Sequence, residues 1–204
     1  MTQFAYIVDD DEAIRDSLGW LMKSRDIPCR VFASAEDFLD AWNPAFAGCL
    51  VLDVRMDEMS GNELFERLIE CGCQLPVIFL TGHGDVPLAV STMKNGAFDF
   101  IEKPFNDNHL VDRVLKAFDL DEERRRALAS ADSIHQRLSQ LSPREKQVME
   151  RILAGRLNKV IAYELGVSMR TVEAHRASLF QKMGVRTAVE LARVVPAPGR
   201  PAEK

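Results

Sequence analysis

The feature that most constrains this chain is a strict alternation. Short apolar runs near residues 4–8, 29–32, 49–53, 77–81 and 99–102 are separated by stretches near 12–25, 35–41, 62–70 and 86–95 with apolar residues at helical spacing. A further helix begins about Asp107. Strand and helix in such order imply right-handed crossovers and a parallel sheet covered on both faces. The expectation is an α/β doubly wound domain with strand order 2-1-3-4-5.

Several of these runs end in polar residues. Asp9-Asp10-Asp11 follows Tyr6-Ile7-Val8, Asp53 follows Cys49-Leu50-Val51-Leu52, Thr81 closes Val77–Leu80, and Lys103-Pro104 follows Phe100-Ile101. Parallel sheets bind ligands outside the carboxyl ends of their strands, so these groups should converge. Crowded carboxylates repel one another unless a hard divalent ion joins them, and Mg²⁺ characteristically combines carboxylates with phosphate oxygens. The pattern therefore points to an aspartyl-phosphate site. Asp53 is the nucleophile candidate, because a carboxylate can attack a phosphoryl group and form a mixed anhydride. Asp10, Asp53 and the backbone carbonyl of Arg55 would ligate Mg²⁺, with Mn²⁺ as the alternative ion, and Asp9 would hold it through water. Lys103 and Thr81 would offer their ammonium and hydroxyl to other phosphoryl oxygens.

Charge divides the chain. Residues 1–120 hold 21 Asp+Glu against 10 Lys+Arg, whereas residues 142–204 hold 6 against 12, so net charges of −11 and +6 stand at the two ends. An overall charge of −5 thus conceals a basic end suited to nucleic acid. No apolar run approaches the roughly 18 residues of a membrane helix, and no secretory signal opens the chain; a soluble cytoplasmic protein without membrane partners is expected. The four cysteines fit reduced thiols better than a disulfide framework.

From Leu141 the pattern changes to helices near 143–154, 158–165, 169–183 and 187–195, broken at Gly155, Gly166 and Gly184, with Asn158 and Ser168 as expected N-caps. The break at Leu165-Gly166-Val167-Ser168 is the short turn that a helix-turn-helix requires. In the next helix Val172, Leu179 and Met183 would face the core, leaving Thr171, Glu173, Ala174, Ala177 and Gln181 outward. Small outward residues flanked by Arg170, His175, Arg176 and Lys182 suit the major groove of double-stranded DNA, and Lys159 could add a phosphate contact. The expected organisation is an α/β domain at 1–120, a helical, polar linker at 121–141, an all-α four-helix domain at 142–195 and a disordered tail at 196–204.

These motifs carry a family resemblance. Residues 1–120 resemble the receiver domain of bacterial two-component response regulators through Val8-Asp9-Asp10-Asp11, Asp53-Val54-Arg55-Met56, Gly61, Thr81-Gly82-His83-Gly84-Asp85-Val86-Pro87 and Glu102-Lys103-Pro104-Phe105. The last two stretches are similar to the FixJ-like branch. The C-terminal part resembles the LuxR/FixJ-type DNA-binding domain through Leu141-Ser142-Pro143-Arg144-Glu145, Asn158–Ala162, Thr171–Arg176 and Lys182-Met183. The resemblance implies a flavodoxin-like receiver, a sensor histidine kinase as phosphodonor, promoter DNA and RNA polymerase as partners, and catalysis limited to the protein's own phosphoryl acceptance and slow dephosphorylation. It also implies a cis Lys103-Pro104 bond, a two-position switch of Thr81 with Phe100, and a homodimer of the phosphorylated form through Leu88, Ser91, Lys94 and Phe100. Asp57 is a departure, since receivers commonly carry Pro there. The rival reading is a Mg²⁺-dependent phosphatase or phosphotransferase with an aspartyl-phosphate intermediate. Haloacid-dehalogenase-like enzymes of that kind place a second Asp two residues after the nucleophile, where this chain has Arg55.

Overall fold

The computed structural model describes residues 2–82 and 92–195, in two compact units that divide between Arg126 and Ala127. The first unit carries strands β1 (Phe4–Val8), β2 (Cys29–Phe32), β3 (Gly48–Asp53), β4 (Val77–Thr81) and β5 (Asp99–Glu102). They form one parallel sheet in the order β2-β1-β3-β4-β5. Helices α1 (Glu12–Ser24), α2 (Ala35–Ala41) and α3 (Gly61–Glu70) connect the first strands, and α4 (Asp107–Ser139) follows the last. The helix expected at 86–95 lies largely outside the described residues; Thr92, Met93 and Lys94 are helical.

Side chains alternate across a strand with a period of two, and the core divides accordingly. Ala5, Ile7, Cys49, Val51, Ile78 and Leu80 join Leu18, Leu21 and Met22 of α1 and Leu110, Val114 and Ala117 of α4 on one face. Tyr6, Val8, Leu50, Leu52, Val77 and Phe79 join Phe38 of α2 and Leu64 and Leu68 of α3 on the other. All six residues of β3 are buried, so its last residue, Asp53, is fixed by a strand that has no freedom to slip. Two glycines permit this close packing. A Cβ on Gly48, at φ 124°, would stand 2.1 Å from the Phe4 carbonyl oxygen, and one on Gly61 would stand 2.1 Å from the carbonyl oxygen of Asp53.

The charged stretch after Phe118 reads as a solvated helix face, but Asp121 is fully buried. Its carboxylate accepts the Gly48 N–H at 2.9 Å and pairs with Arg125 one turn later, whose guanidinium also reaches the Phe46 carbonyl. Helical spacing turned one acid inward to the start of β3, where a backbone donor needed a partner.

The second unit contains the remainder of α4 and helices α5 (Pro143–Leu153), α6 (Asn158–Leu165), α7 (Met169–Met183) and α8 (Ala188–Val194). Val148, Ile152, Ile161, Val172, Leu179, Met183 and Leu191 form its core. Ser142 and Glu145 close a reciprocal capping box at the start of α5, with Pro143 in the first turn. Ser168 and Thr187 cap α7 and α8 through their hydroxyls. The expected cap Asn158 instead lies inside α6: Leu157 takes the N-cap position without a side-chain bond, and its carbonyl accepts from Val160 and Ile161. Gly166 and Gly184 end α6 and α7 in the left-handed conformation that favours glycine.

Candidate functional site

At the carboxyl edge of the sheet, β1 delivers Asp9, β3 delivers Asp53, β4 delivers Thr81, and the turn after β5 delivers Lys103. Asp9, Asp53 and Thr81 are all buried. Lys103 Nζ donates to Asp53 Oδ1 at 2.6 Å and to Asp9 Oδ2 at 2.9 Å, so one ammonium draws the ends of β1 and β3 together. The remaining oxygens have backbone donors: Asp53 Oδ2 accepts the Arg55 N–H at 2.8 Å, and Asp9 Oδ1 accepts the Asp11 N–H at 3.0 Å. Lys103 is itself positioned by its backbone, which donates to the Thr81 carbonyl and precedes a cis bond to Pro104.

These surroundings set the charge states. Burial pushes the Asp53 carboxyl above its ordinary range and Asp9 adds to the rise, while Lys103 and the Arg55 N–H only partly offset it. Burial works against the Lys103 ammonium as well, but its bonds to Asp53 and Asp9 prevail and raise its pKa. A carboxylate kept in short supply of solvent and aligned with a cation is suited to nucleophilic attack on a phosphoryl centre, where water would otherwise shield it.

The other expected members are spread around this centre. Asp10 is exposed and accepts the Asp57 N–H at 3.0 Å. The Thr81 hydroxyl donates to the Gly82 carbonyl at 3.1 Å. Phe100 is half-buried on β5, with its ring tilted against Phe79 at 6.4 Å between centroids. Lys94 is exposed, whereas Leu88 and Ser91 lie outside the described residues. Among the described residues no three Asp, Glu, His or Cys side chains gather to hold an ion. The donor chemistry nevertheless suits Mg²⁺, because Asp9, Asp10 and Asp53 present hard oxygens on adjacent strand ends. Two contacts escaped the sequence reading. Arg15 of α1 donates to the Asp9 carbonyl at 2.8 Å, and an apolar cavity of about 340 Å³ opens beside Lys103, lined by Ile14, Leu18, Leu21, Pro104 and Phe105.

In the second unit, α7 presents Arg170, Glu173, Ala174, Ala177 and Gln181 along one exposed stripe at helical spacing. Small residues occupy its middle, which allows a helix to approach base edges closely. Thr171 is half-buried and engaged with the Ser168 hydroxyl at 2.8 Å. His175 and Arg176 flank the stripe half-buried, the Arg176 guanidinium lying 5.2 Å from the Phe180 ring centroid. Lys159 is exposed on α6.

Lys182 departs from the expectation of a free phosphate contact. Its ammonium binds Glu145 of α5 at 2.7 and 3.0 Å, and Ser178 donates to the same carboxylate at 2.6 Å. Burial acts to raise the Glu145 pKa, but Lys182, Ser178 and Ser142 together hold it down at about 2. The pair locks α7 to α5. The signal available in the sequence was the Ser142-x-x-Glu145 capping pattern, which marks Glu145 as a residue held at a helix start. Arg137 performs a similar service at the other end, donating to the Met183 carbonyl at 2.9 Å.

A doubly wound domain with a carboxylate-lysine cluster at its strand ends, followed by a helix-turn-helix unit with a basic-flanked open helix, defines a receiver joined to a DNA reader. Comparisons with known proteins agree. Residues 5–115 match the model of the response regulator receiver domain, and residues 139–195 match that of bacterial regulatory proteins of the luxR family. The chain is 50% identical over 196 residues to the C4-dicarboxylate transport transcriptional regulatory protein DctR of Rhodobacter capsulatus, covering 95% of this chain and all of that one. It is 44% identical over 189 residues to the transcriptional regulatory protein FixJ of Bradyrhizobium diazoefficiens, covering 93% and 92%. Among solved structures it is similar to the response regulator StyR, at TM-score 0.89 and 39% identity over 95% of this chain and 98% of that one. Full-length FixJ from B. japonicum gives TM-score 0.60 and 43% identity over 95% and 96%. The chain therefore belongs to the response regulators, as a transcriptional regulator that joins a receiver domain to a LuxR-type DNA-binding domain. None of its described helices is long and apolar enough to cross a membrane.

Proposed function

We propose that Asp53 accepts a phosphoryl group from a sensor histidine kinase and that its phosphorylation controls promoter binding by α7. The observation that carries this reading is the buried Asp53 carboxylate, held at 2.6 Å by Lys103 beside Asp9 at the carboxyl edge of the sheet. Asp53 would attack phosphorus as the bond to the donor nitrogen breaks, leaving an acyl phosphate and a neutral imidazole once a proton is regained. Lys103 stays on the developing phosphoryl charge, and the Thr81 hydroxyl, at the end of the neighbouring strand, offers a further donor. Mg²⁺, held by Asp9, Asp10, Asp53 and the Arg55 carbonyl, with Mn²⁺ as a substitute, would neutralise oxygen charge on the transferring group.

Phosphorylation adds roughly two negative charges and three acceptor oxygens beside Thr81, which supplies the force for a switch involving Phe100. Arg170, Arg176 and Lys159 would hold DNA phosphates while Glu173, Ala174 and Ala177 face the bases and Thr171 and His175 border them. Bound at a promoter, the dimer would act on RNA polymerase. Intact-mass measurement after treatment with a small phosphodonor and Mg²⁺ tests the first step. A single phosphoryl addition is expected on the native chain and none on Asp53→Asn, whose amide is a poor nucleophile; undiminished labelling of that variant would assign the chemistry to another carboxylate.

A further inference from the structure

We infer that the backbone N–H of Asp57 sets the affinity of the site for its divalent ion, by holding Asp10 in an ion-free orientation. The inference rests on the proposed role of Asp10 as a metal ligand. Of the carboxylates proposed to hold the ion, two share a cation, Lys103, which lies 2.9 Å from Asp9 and 2.6 Å from Asp53. Asp10 belongs to neither bond. Its Oδ2 accepts the Asp57 N–H at 3.0 Å, across from the β1–α1 loop to the β3–α3 loop. Among the described residues Asp9, Asp10 and Asp53 do not gather to hold an ion, so an ion that recruits Asp10 must draw its carboxylate away from the Asp57 N–H on Oδ2.

That donor cannot simply follow Asp10. The loop bearing it is pinned at its start by Val54 N–H to the Leu80 carbonyl at 3.0 Å and at its end by the Ser60–Glu63 capping box. The Gly61 N–H returns to the Val54 carbonyl at 3.0 Å, and Glu58 takes the left-handed conformation at φ 61° between these anchors. Mg²⁺ requires near-ideal octahedral geometry and short bonds, so it favours an Asp10 carboxylate turned toward Asp53 over one held on the Asp57 N–H. The exposed Asp57 carboxylate acts in the opposite sense, because its negative charge attracts the ion. Side chain and main chain of the same residue thus oppose each other, and substitution separates them.

Calorimetric titration of Mg²⁺ into the full chain provides the test, with Asp57→Ala and Asp57→Pro side by side. Alanine removes the charge and keeps the N–H; proline removes both. The expected result is that Asp57→Pro binds Mg²⁺ roughly three- to tenfold more tightly than Asp57→Ala, the range that one net hydrogen bond represents. Equal affinities in two variants with native circular dichroism would overturn the inference. Because proline also restricts Met56, the native chain supplies an independent measurement. Its Asp57 amide proton should move upfield on Mg²⁺ addition with the calorimetric midpoint, and an amide unmoved at saturation would overturn the inference as well. An Asp10→Asn variant that binds Mg²⁺ as tightly as the native chain would instead overturn the ligand assignment on which the inference rests.

Discussion

Lys103 draws Asp53 and Asp9 to one ammonium, and its removal leaves the two carboxylates buried side by side. Lys103→Ala should therefore destabilise the receiver by about 2 kcal/mol, less than a fully buried broken pair because 22% of the lysine side chain is exposed. Urea unfolding with and without Mg²⁺ checks this, with partial recovery expected when the ion is present. The sign of the pH dependence differs between residues. Lys103 has a raised pKa, so its contribution is complete below the ordinary lysine value and lost as pH rises through the raised one. Asp53 also has a raised pKa, but for a carboxyl this means that the ionised form is disfavoured by folding, and acidification through that value relieves the cost. Glu145 is the depressed case: its contribution is present above 4.5 and lost as pH falls toward about 2. Glu145→Gln should cost the DNA-binding unit on the order of 2 kcal/mol at neutral pH, after discounting for the exposed part of Lys182. An acid titration followed by circular dichroism should show the two proteins converging below pH 4.5; a constant difference down to pH 2 would place the effect elsewhere.

For the elements, α7 separates residues that hold the helix from residues that can hold DNA. Arg170→Ala and Arg176→Ala should weaken binding across all sequences and each lower the salt slope by about one ion. Lys182→Ala should lower the melting temperature of the second unit and leave that slope nearly unchanged, because its ammonium is bound to Glu145. Fluorescence titrations of specific and scrambled duplexes at several salt concentrations distinguish the two classes. Glu173 and Ala174 substitutions should alter base preference instead. The strands and helices themselves were legible because apolar period and polar strand ends agree: β1, β2, β4 and β5 have the expected bounds, and Val172, Leu179 and Met183 are buried as their spacing requires. What escaped was tertiary or main-chain in origin. The Glu145–Lys182 pair joins residues 37 apart, the Leu157 cap uses no side-chain bond, and Asp57 acts on Asp10 through a peptide N–H that every non-proline residue possesses. Asp121 is hidden for a different reason, since a charged run at helical offsets reads as solvated until a buried backbone donor such as Gly48 claims one member.

At the scale of the whole molecule, one small helix-turn-helix offers few base contacts, whereas two copies held together read two half-sites about one helical turn apart. Linking the copies also raises the effective concentration of the second reader, so a modest gain in receiver association produces a large gain in promoter occupancy. Phosphorylation of Asp53 is accordingly expected to promote a dimer through the face that includes Lys94 and Phe100. Two features support that face. Lys94 is exposed, and Phe100 lies on the edge strand β5, half-buried, one strand from the Thr81 hydroxyl that phosphorylation would engage. Charge at Asp53 would have a short way to that face: Thr81 pairs with Glu102 and Phe79 with Phe100 in the β4–β5 register. Sedimentation of the unmodified and phosphorylated chain should show a monomer converting to a dimer, and Lys94→Glu should weaken that conversion while leaving phosphoryl incorporation intact. A phosphorylated chain that stays monomeric at tens of micromolar yet binds promoter DNA tightly would exclude receiver association as the switch, and would leave release of an occluded α7 as the means of control.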